Sequence, residues 1–318
     1  MDIEEARKKF GISVPSDREF YSDEYIEYFR ENKTGGEFEK YRQFQEMFNK
    51  SFITTFFNRN TEGRTIADRK AVVLGGQAGA GKSSLVYLAK QEAHAEGREI
   101  FLIDDDMYRI FYPNALQLWE ECPEHYVAIT AIGSATVTPK IMRYASENGM
   151  NFIFDGTMKS PRIIDTAMSW KDYDINWKVM GTSKLESLIS IFERNEALRR
   201  NGKGRLTTVD VHNEIYTGIG PTLMQLESMG DMGRIQVYSR GQDIFAPVLQ
   251  YDSQVPGSYS SAHQALEDAR RKDAERCKKN GVQERIDNLK NTPIPLNEAE
   301  RKALKELEES IKAELQER

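Results

Sequence analysis

The sequence predicts an α/β fold built on a doubly wound parallel sheet of about five strands with helices on both faces. Between about Lys70 and Tyr251, short apolar runs alternate with helical stretches, which is the pattern of repeated βα units. The first run leads directly into a glycine-rich loop, and an apolar pattern with helical spacing then continues to Gly97. This strand–loop–helix order and the alternation that follows it indicate parallel strands joined by helical crossovers.

Five runs are predicted as strands, because each is short and apolar, as the buried central strands of a parallel sheet are. They are Ala71 to Leu74, Glu99 to Ile103, Asn151 to Phe154, Asn176 to Met180 and Ile235 to Tyr238. In such sheets ligands bind beyond the carboxyl ends of the strands. The residues that follow each run are therefore the candidates for chemistry.

Residues 1–69 are predicted to form a helical N-terminal extension. Five aromatic residues recur there every three or four positions, which is the spacing of one face of an amphipathic helix. They are Phe38, Tyr41, Phe44, Phe48 and Phe52. A shorter helix is predicted after the capping residue Ser22, because the acidic Asp23 and Glu24 suit a first helical turn.

Beyond a central domain of residues 70–251, residues 252–318 are predicted to form a linker and a helical region. The chain is polar from Pro247 to Ser260, which predicts a loop. A charged helix is predicted over Ala262 to Lys279, and a last helix is predicted after a capping Asn297. An apolar stripe on this last helix indicates docking on its own domain or on a partner. The stripe consists of Leu304, Leu307, Ile311 and Leu315.

Composition and charge argue against several classes of protein. The formal net charge is -6 and the pI is near 5.5, whereas binding to nucleic acid usually needs a concentrated positive surface. No apolar run is long enough to span a membrane, and the first residues are acidic, unlike a signal peptide. Cys122 and Cys277 lack the spacing of a zinc site or a disulfide framework. We therefore expect a cytoplasmic protein without a membrane or nucleic-acid partner.

The glycine-rich loop after the first strand fits the pattern G-x-x-x-x-G-K-[ST], which is the phosphate-binding loop of nucleotide-using enzymes. Its glycines allow successive N–H groups to turn toward a di- or triphosphate, Lys82 reaches the β/γ oxygens, and the Ser83 hydroxyl binds Mg²⁺. The predicted nucleotide-binding residues are Gly76, Gln77, Ala78, Gly79, Ala80, Gly81, Lys82, Ser83 and Ser84. The motif thus predicts a nucleoside di- or triphosphate and Mg²⁺ as ligands.

Acidic residues follow the second strand. Asp104 and Asp106 stand in a D-x-D spacing, which places both side chains on one side of an extended chain. A carboxylate opposite the phosphate loop can accept the proton of an attacking hydroxyl as the bond to phosphorus forms. Asp106 is the candidate base, and Asp104 and Asp106 are both candidate substrate-binding residues. The alternative interpretation is that these aspartates cap the short helix Met107 to Phe111 or hold magnesium through water.

The third strand ends in Asp155-Gly156-Thr157. A carboxylate at this position can orient a water on Mg²⁺ or accept a hydrogen bond from a sugar hydroxyl. Gly156 permits a close approach of ligand to backbone. Asp155 and Thr157 are therefore candidate substrate-binding residues, although a plain turn would explain Gly156 and Thr157 equally well.

A helix over Ser183 to Arg200 leads into a basic loop with two glycines, residues 201–207. Such a segment predicts a mobile lid that delivers guanidinium groups to phosphate oxygens. The candidates are Arg194, Arg199, Arg200 and Arg205. The alternative is that basic residues at a helix C-terminus only complement the helix dipole.

Taken together, these motifs resemble the zeta toxins, a bacterial family of phosphate-loop kinases whose fold is similar to that of small-molecule and nucleoside kinases. The resemblance covers roughly residues 70–251. It rests on Leu74 to Leu85, on Ile103 to Tyr108 followed by Tyr112-Pro113, on Asp155-Gly156-Thr157, and on Glu193-Arg194 with Arg205.

The resemblance implies an ATP- and Mg²⁺-dependent kinase that phosphorylates the 3′-hydroxyl of the amino sugar in UDP-N-acetylglucosamine. It implies that Lys82 and Ser83 bind the phosphates and Mg²⁺, that Asp106 is the base, and that Asp155 contacts substrate. Arg194 and Arg205 would clamp the γ-phosphate. A helical antitoxin that obstructs the ATP site is the implied partner, and a further hypothesis is that residues before about Asp68 obstruct that site in cis.

Two alternatives stay open. The acceptor hydroxyl could belong to a nucleotide, NAD or an antibiotic. The chain could also be a nucleotide-dependent switch or binding module, but a common GTPase needs an Asn-Lys-x-Asp motif to recognise guanine. Asn32-Lys33 and Asn49-Lys50 lack the aspartate and precede the phosphate loop.

Overall fold

A computed structural model describes residues 1–11, 69–199, 207–243, 245–296 and 298–316. Its described residues divide into two compact units. One unit contains residues 1–11 and 103–149, and the other contains residues 69–102 and 150–316. The aromatic stripe of residues 38–52 and the helix predicted after Ser22 lie outside the described residues. The predicted three-part division of the chain stays a prediction.

The described residues contain a six-stranded sheet with the order β2-β3-β1-β4-β5-β6. The strands are β1 (Arg69–Gly75), β2 (Phe101–Ile103), β3 (Phe152–Phe154), β4 (Tyr173–Met180), β5 (Arg234–Ser239) and β6 (Val248–Asp252). β1 pairs in parallel with β3 and with β4, and β4 pairs in parallel with β5. The predicted α/β fold and its five strands are confirmed, with ends that differ by up to three residues.

The polar loop predicted after Pro247 is wrong over Val248–Asp252, because this segment pairs antiparallel with β5. Val248 and Leu249 are nearly half exposed at this end of the sheet, so the strand lacks the continuous apolar run of a buried strand. Its polar end is held across the strands, where the single Nε–H of Arg234 is shared between the two oxygens of the Asp252 carboxylate, each 3.0 Å away. A pattern built for central strands therefore overlooks it.

Eleven helices occur in the described part of the chain. They are α1 (Ile3–Phe10), α2 (Lys82–Ala95), a 3-10 helix (Asp105–Phe111), α3 (Ala115–Glu121), α4 (Pro123–Glu147), α5 (Arg162–Met168), α6 (Lys184–Arg199), α7 (Val209–Ser228), α8 (Ala262–Lys279), α9 (Val282–Lys290) and α10 (Glu298–Gln316). None of these described helices combines the length and the apolar character needed to cross a bilayer.

The helices predicted over Ser183 to Arg200 and over Ala262 to Lys279 are confirmed as α6 and α8. α8 begins where the Ser261 hydroxyl accepts a hydrogen bond from the N–H of Gln264, which satisfies a first-turn donor. Neither α4 nor α7 is predicted from the sequence, because α4 contains Pro139 and α7 contains Pro221. Proline in a helix interior removes a hydrogen bond and is normally taken as a break.

The C-terminal helices pack on α6. One apolar cluster contains Leu188 and Ile189 of α6 together with residues of α8, α9 and α10. Leu307 and Ile311 of the predicted α10 stripe are almost fully buried in this cluster, whereas Leu315 is 45% exposed. Burial of such side chains is worth about 1.5 to 3 kcal/mol each. The stripe therefore docks α10 on its own domain.

Candidate active site

The phosphate loop connects the carboxyl end of β1 to the start of α2. Gly79 has a φ of +74°, and a Cβ atom at this position would lie 2.1 Å from the carbonyl oxygen of Ser187. Gly81, at the start of α2, has a φ of +96°. Both positions therefore require glycine, which is free to adopt the left-handed region. Since α2 begins at Lys82, the N–H groups of Lys82 and Ser83 have no intrahelical acceptor and can bind an anion.

Buried side chains hold the back of the loop. The Gln77 side chain has no exposed surface, and its Nε2 donates to the Thr182 carbonyl at 2.9 Å and to the Ser187 hydroxyl at 3.0 Å. The Thr182 hydroxyl in turn donates to the Ala80 carbonyl at 2.7 Å. Buried side-chain hydrogen bonds of this kind fix a loop in one conformation. Gln77 therefore fastens the loop from behind.

Arg240, which directly follows β5, binds the same loop. Its Nε donates to the Ala80 carbonyl at 3.1 Å, and its Nη2 donates to the Gly79 carbonyl. Because C=O and N–H of a trans peptide point in opposite directions, these bonds turn the Gly81 N–H away from Arg240. Burial lowers the pKa of Arg240, and the nearby Glu186 carboxylate raises it. An Oε1–Nη1 contact of 2.7 Å joins this pair.

The structure brings two predicted site residues together at the ends of neighbouring strands. Lys82 Nζ lies 3.9 Å from Asp155 Oδ1, and the two side chains are only 16% and 20% exposed. The backbone also connects the two segments, since the Gly76 N–H donates to the Thr157 carbonyl at 3.2 Å. β1 and β3 are adjacent parallel strands, so their carboxyl ends meet at one edge of the sheet. The Asp155-Gly156-Thr157 segment therefore flanks the phosphate loop.

The two predicted serines differ in their surroundings. Ser83 is exposed in the first turn of α2, where its hydroxyl is accessible to a metal–phosphate complex. Ser84 is buried, and its hydroxyl donates to the Gly81 carbonyl at 2.8 Å, which stabilises the start of the helix. Within the described ranges, no group of three or more His, Cys, Asp or Glu side chains is placed to hold a metal ion.

The acidic segment after β2 belongs to the other compact unit. The chain is not extended here, because a 3-10 helix begins at Asp105. The Asp104 carboxylate accepts a hydrogen bond of 2.9 Å from the Asp106 N–H, which is the capping contact of the alternative interpretation. Asp106 Oδ1 accepts a hydrogen bond of 2.8 Å from Arg109 Nε, and 35% of the Asp106 side chain is exposed. Asp105 accepts a hydrogen bond from the Thr138 hydroxyl. The Asp106 carboxylate is thus partly exposed and is held by the Arg109 guanidinium.

The arginine candidates lie at the end of α6 and beyond it. Arg194 lies in the second half of α6 and is half-buried. Arg199 is the last residue of α6. Arg200 and Arg205 fall outside the described residues, as does most of the predicted lid. The assignment of the γ-phosphate clamp therefore stays a prediction.

Three residues near the loop, Thr182, Arg240 and His212, are not predicted as site residues from the sequence. Thr182 follows β4 and Arg240 follows β5, so the carboxyl-end rule was the signal that could have found both. His212 Nε2 lies 2.8 Å from the Ser187 hydroxyl that accepts from Gln77. Burial lowers the pKa of His212 to about 4, so the ring is neutral near pH 7 and supports the loop through Ser187.

The remaining predicted features are simple. Cys122 and Cys277 are both free and buried, as expected from their spacing. Burial first, and then a contact with Glu186, raises the pKa of Cys277 to about 12. Neither thiol is therefore poised as a nucleophile.

Comparison with known proteins gives matches that centre on the phosphate-loop domain. The family model described as zeta toxin matches residues 56–247. Toxin zeta of Streptococcus agalactiae is 26% identical over 205 residues, which cover 63% of this chain and 69% of that protein. Toxin PezT of Streptococcus pneumoniae serotype 4 is 26% identical over 175 residues, which cover 54% of this chain and 68% of that protein.

Solved structures share the fold. A chain from the PezAT chromosomal toxin–antitoxin system of Streptococcus pneumoniae superposes with a TM-score of 0.63 at 22% identity, covering 77% of this chain and 97% of its own. A chain of the AvrRxo1-ORF1:AvrRxo1-ORF2 complex with ATP superposes with a TM-score of 0.53 at 14% identity, covering 95% of this chain and 93% of its own. Since the family match spans more than half of the residues and includes the phosphate loop, this chain belongs to the zeta toxin family.

Proposed function

We propose that this protein is an ATP-dependent kinase that transfers the γ-phosphate to the 3′-hydroxyl of the amino sugar in UDP-N-acetylglucosamine, as the toxin of a toxin–antitoxin pair. Membership of the zeta toxin family implies phosphotransferase activity. The observation that carries the proposal is the phosphate loop itself, with Lys82 Nζ 3.9 Å from Asp155 Oδ1 at the ends of β1 and β3.

In this proposal the loop binds the triphosphate of ATP. The N–H groups of Gly81, Lys82 and Ser83 donate to phosphate oxygens, and Lys82 adds a positive charge. A solved relative in fold is a complex with ATP, which supports ATP as the donor. The Lys82–Asp155 contact holds the lysine side chain in place before the nucleotide arrives. Asp155 then contacts Mg²⁺ or substrate.

The residues present fit a magnesium ion. Mg²⁺ in kinase sites keeps several waters and takes one or two protein oxygens besides the phosphates, so the exposed Ser83 hydroxyl and the Asp155 carboxylate suffice as protein ligands. When bound, the ion supplies neutralisation of charge on the β- and γ-oxygens. In this proposal the loop binds the phosphates, Asp155 orients Lys82, and Asp106 takes the proton from the attacking hydroxyl.

Asp106 is the proposed base. A hydroxyl is a poor nucleophile while it keeps its proton, and a carboxylate can accept this proton as the new bond to phosphorus forms. Arg109 holds the Asp106 carboxylate in one orientation through its Nε, and Arg109 Nη1 is itself held by the Val127 carbonyl at 2.9 Å. Arg194 and Arg205, either of which Arg200 could replace, are proposed to stabilise charge on the transferred phosphoryl group.

An antitoxin is the proposed protein partner. A solved structure with the same fold comes from a toxin–antitoxin system, and another comes from a two-protein complex. A partner that obstructs nucleotide binding would keep the kinase inactive in its own cell. The segment before about Asp68 is a second candidate for this obstruction, acting in cis, and removing it should then raise ATP turnover.

The acceptor is tested by incubating the full chain with ATP and Mg²⁺ and a panel of hydroxyl compounds. The panel contains UDP-N-acetylglucosamine, a nucleoside monophosphate, NAD and an aminoglycoside, and ³¹P NMR locates the new phosphate. We expect a phosphomonoester on the amino sugar of UDP-N-acetylglucosamine. Transfer to another member would replace this acceptor while keeping the kinase, and binding of ATP without transfer to any member would favour a nucleotide-dependent switch.

A further inference from the structure

The C-terminal helices reach the phosphate loop through a chain of ion pairs. Arg285 of α9 donates from Nη1 to Glu186 Oε2 at 2.7 Å and from Nη2 to Glu186 Oε1 at 3.1 Å. Glu186 of α6 also accepts from Arg240 Nη1 at 2.7 Å. Arg240 then holds the carbonyls of Gly79 and Ala80. One continuous set of charge-assisted hydrogen bonds thus runs from α9 to the loop.

Each member of this chain is fixed by more than one contact. Glu193 lies about two turns beyond Glu186 on α6. It accepts from Arg285 Nε and Nη2, both at 2.7 Å, so Arg285 binds two carboxylates. The side chains of Glu186, Arg285 and Arg240 are only 11%, 20% and 24% exposed. Although burial raises the pKa of Glu186, hydrogen bonds from Arg285 keep it below its ordinary value. Partly buried, forked pairs of this kind hold geometry better than exposed ones.

A second contact joins the same helices to the loop. Asp273 of α8 accepts from the N–H and the hydroxyl of Ser183 at 2.9 and 2.8 Å. Ser183 is next to Thr182, whose hydroxyl holds the Ala80 carbonyl from the other side. α8 and α9 lie beyond the residues that match the family. The loop's rear contacts therefore depend on a part of the chain outside the family match.

We infer that Arg285 is a positioning residue for the phosphate loop: through Glu186 and Arg240 it keeps the Gly79 and Ala80 carbonyls turned back, so that the Gly81 N–H faces the nucleotide. Without Arg285, Glu186 keeps its contacts with Arg240 and with the Ser190 hydroxyl but loses both hydrogen bonds that align its carboxylate from the α9 side. The carboxylate can then rotate, and it orients the Arg240 guanidinium less firmly. The loop then samples more conformations and must be ordered when phosphate binds, which weakens affinity. This inference rests on the proposed binding of ATP for its second readout only.

The primary readout is hydrogen–deuterium exchange of the loop amides in the nucleotide-free full chain. We expect Arg285→Gln to speed the exchange of the peptide covering residues 75–85 by about fivefold or more, because local opening sets this rate. The matched control is Arg271→Gln. Arg271 of α8 also pairs with two carboxylates, Asp268 and Glu275, each at 2.6 Å, but none of its contacts with described residues leads to the loop. Its loop exchange should equal that of the wild type.

The second readout is the Kd for ATP by calorimetry, which should rise about tenfold in Arg285→Gln, equivalent to roughly 1.4 kcal/mol, and not in Arg271→Gln. Loop exchange that is equal in the two folded variants would overturn the inference, whatever their melting temperatures. Should Arg285→Gln fail to fold, Glu186→Gln replaces it, and wild-type loop exchange in that variant overturns the inference equally. If the wild type binds no ATP, the proposed function fails while loop exchange still decides the role of Arg285.

Discussion

The phosphate loop and the acidic segment after β2 hold their polar groups through different kinds of contact. Gln77 of the loop donates to Thr182 and Ser187, which lie 105 and 110 positions later in the sequence. Ala80 accepts from Arg240, which lies 160 positions later. In the acidic segment, Asp104 bonds to a residue two positions away, and Asp106 pairs with a residue three positions away. The described supports of the loop thus come from the ends of β4 and β5 and from α6, whereas those of Asp104 and Asp106 come from within their own turn. Asp105 differs from both, because it accepts from Thr138 of α4, 33 positions away.

This difference suggests a division of work between the two regions. A loop fixed from behind by β4, β5 and α6 presents donors whose positions do not change when phosphate binds. An aspartate at a short surface turn contributes one reactive carboxylate that a single substitution can remove without disturbing the fold. Substitutions in the loop should then alter nucleotide affinity, and substitutions in the acidic turn should alter the chemical step alone.

The largest effect is expected for Asp106→Asn. The amide cannot accept the acceptor's proton, so kcat for phosphoryl transfer should fall by roughly 10² to 10⁴-fold, with an unchanged Kd for ATP. Single-turnover transfer and calorimetry measure the two quantities. The control is Asp105→Asn, which keeps an oxygen to accept from the Thr138 hydroxyl and should retain activity. Equal losses in both variants would show that the turn acts only as a structural element.

Lys82→Met should lower kcat by roughly 10² to 10³-fold and also raise the Kd for ATP, because the lysine is part of the binding surface. The change also removes the partner 3.9 Å from Asp155. Lys90→Met is the matched control, since Lys90 is exposed on the same helix. A Kd that stays constant in Lys82→Met would contradict the assignment of binding to the loop region.

The phosphate-loop motif and five strands are predictable from the sequence because each depends on residues that are consecutive in the chain. Gly76 to Ser83 match a local pattern, and β1 is a local apolar run. The supports of the loop are not predictable in this way, since Thr182 and Arg240 reach the loop carbonyls, and Glu186 reaches Arg240, only once the sheet has formed. Only the rule that ligands collect at the carboxyl ends of strands points toward Thr182 and Arg240.

Other parts of the molecule escape prediction for a different reason. Pro139 lies inside α4 and Pro221 lies inside α7, so a proline-based rule does not predict these helices. Both form because tertiary packing overrides the usual effect of a helix breaker. Asp104 caps a 3-10 helix although the D-x-D spacing suggests an extended chain, since the cap contact requires only the N–H two residues ahead. Local preference in these places offers two outcomes, and the surrounding structure selects one.

The neutral His212 behind the loop gives a pH test of the same comparison. Burial lowers its pKa to about 4, so between pH 6.5 and 4 the unfolded chain binds a proton that the folded chain does not. Stability is complete above about pH 6.5 and is lost as the pH falls toward 4. We expect a loss of about 2 kcal/mol between pH 7 and pH 5 from this group.

The measurement is the free energy of unfolding in urea at both pH values for the wild type and His212→Gln. The variant should lose about 2 kcal/mol less than the wild type over this interval. His94→Gln, at an exposed position of α2, should retain the wild-type loss. An unchanged loss in His212→Gln would show that the imidazole is not buried in its neutral form.

The smallest effect is expected for alanine substitutions at two glycines, which distinguish backbone strain from a clash with neighbouring atoms. Gly79 and Gly97 have nearly the same φ, +74° and +69°, but a Cβ at Gly79 would meet the Ser187 carbonyl oxygen at 2.1 Å, whereas a Cβ at Gly97 meets nothing within 4 Å. Gly97→Ala should therefore cost only the backbone strain, about 1 kcal/mol. Gly79→Ala should cost about 2 kcal/mol, because the backbone of α6 must also shift, and it should weaken ATP binding while Gly97→Ala leaves it unchanged. Urea unfolding measures the loss of unfolding free energy, and calorimetry measures the Kd for ATP. Equal losses of stability at the two glycines would mean that α6 does not hold the loop rigidly. The contrast between a loop supported by distant residues and a locally formed turn would then disappear.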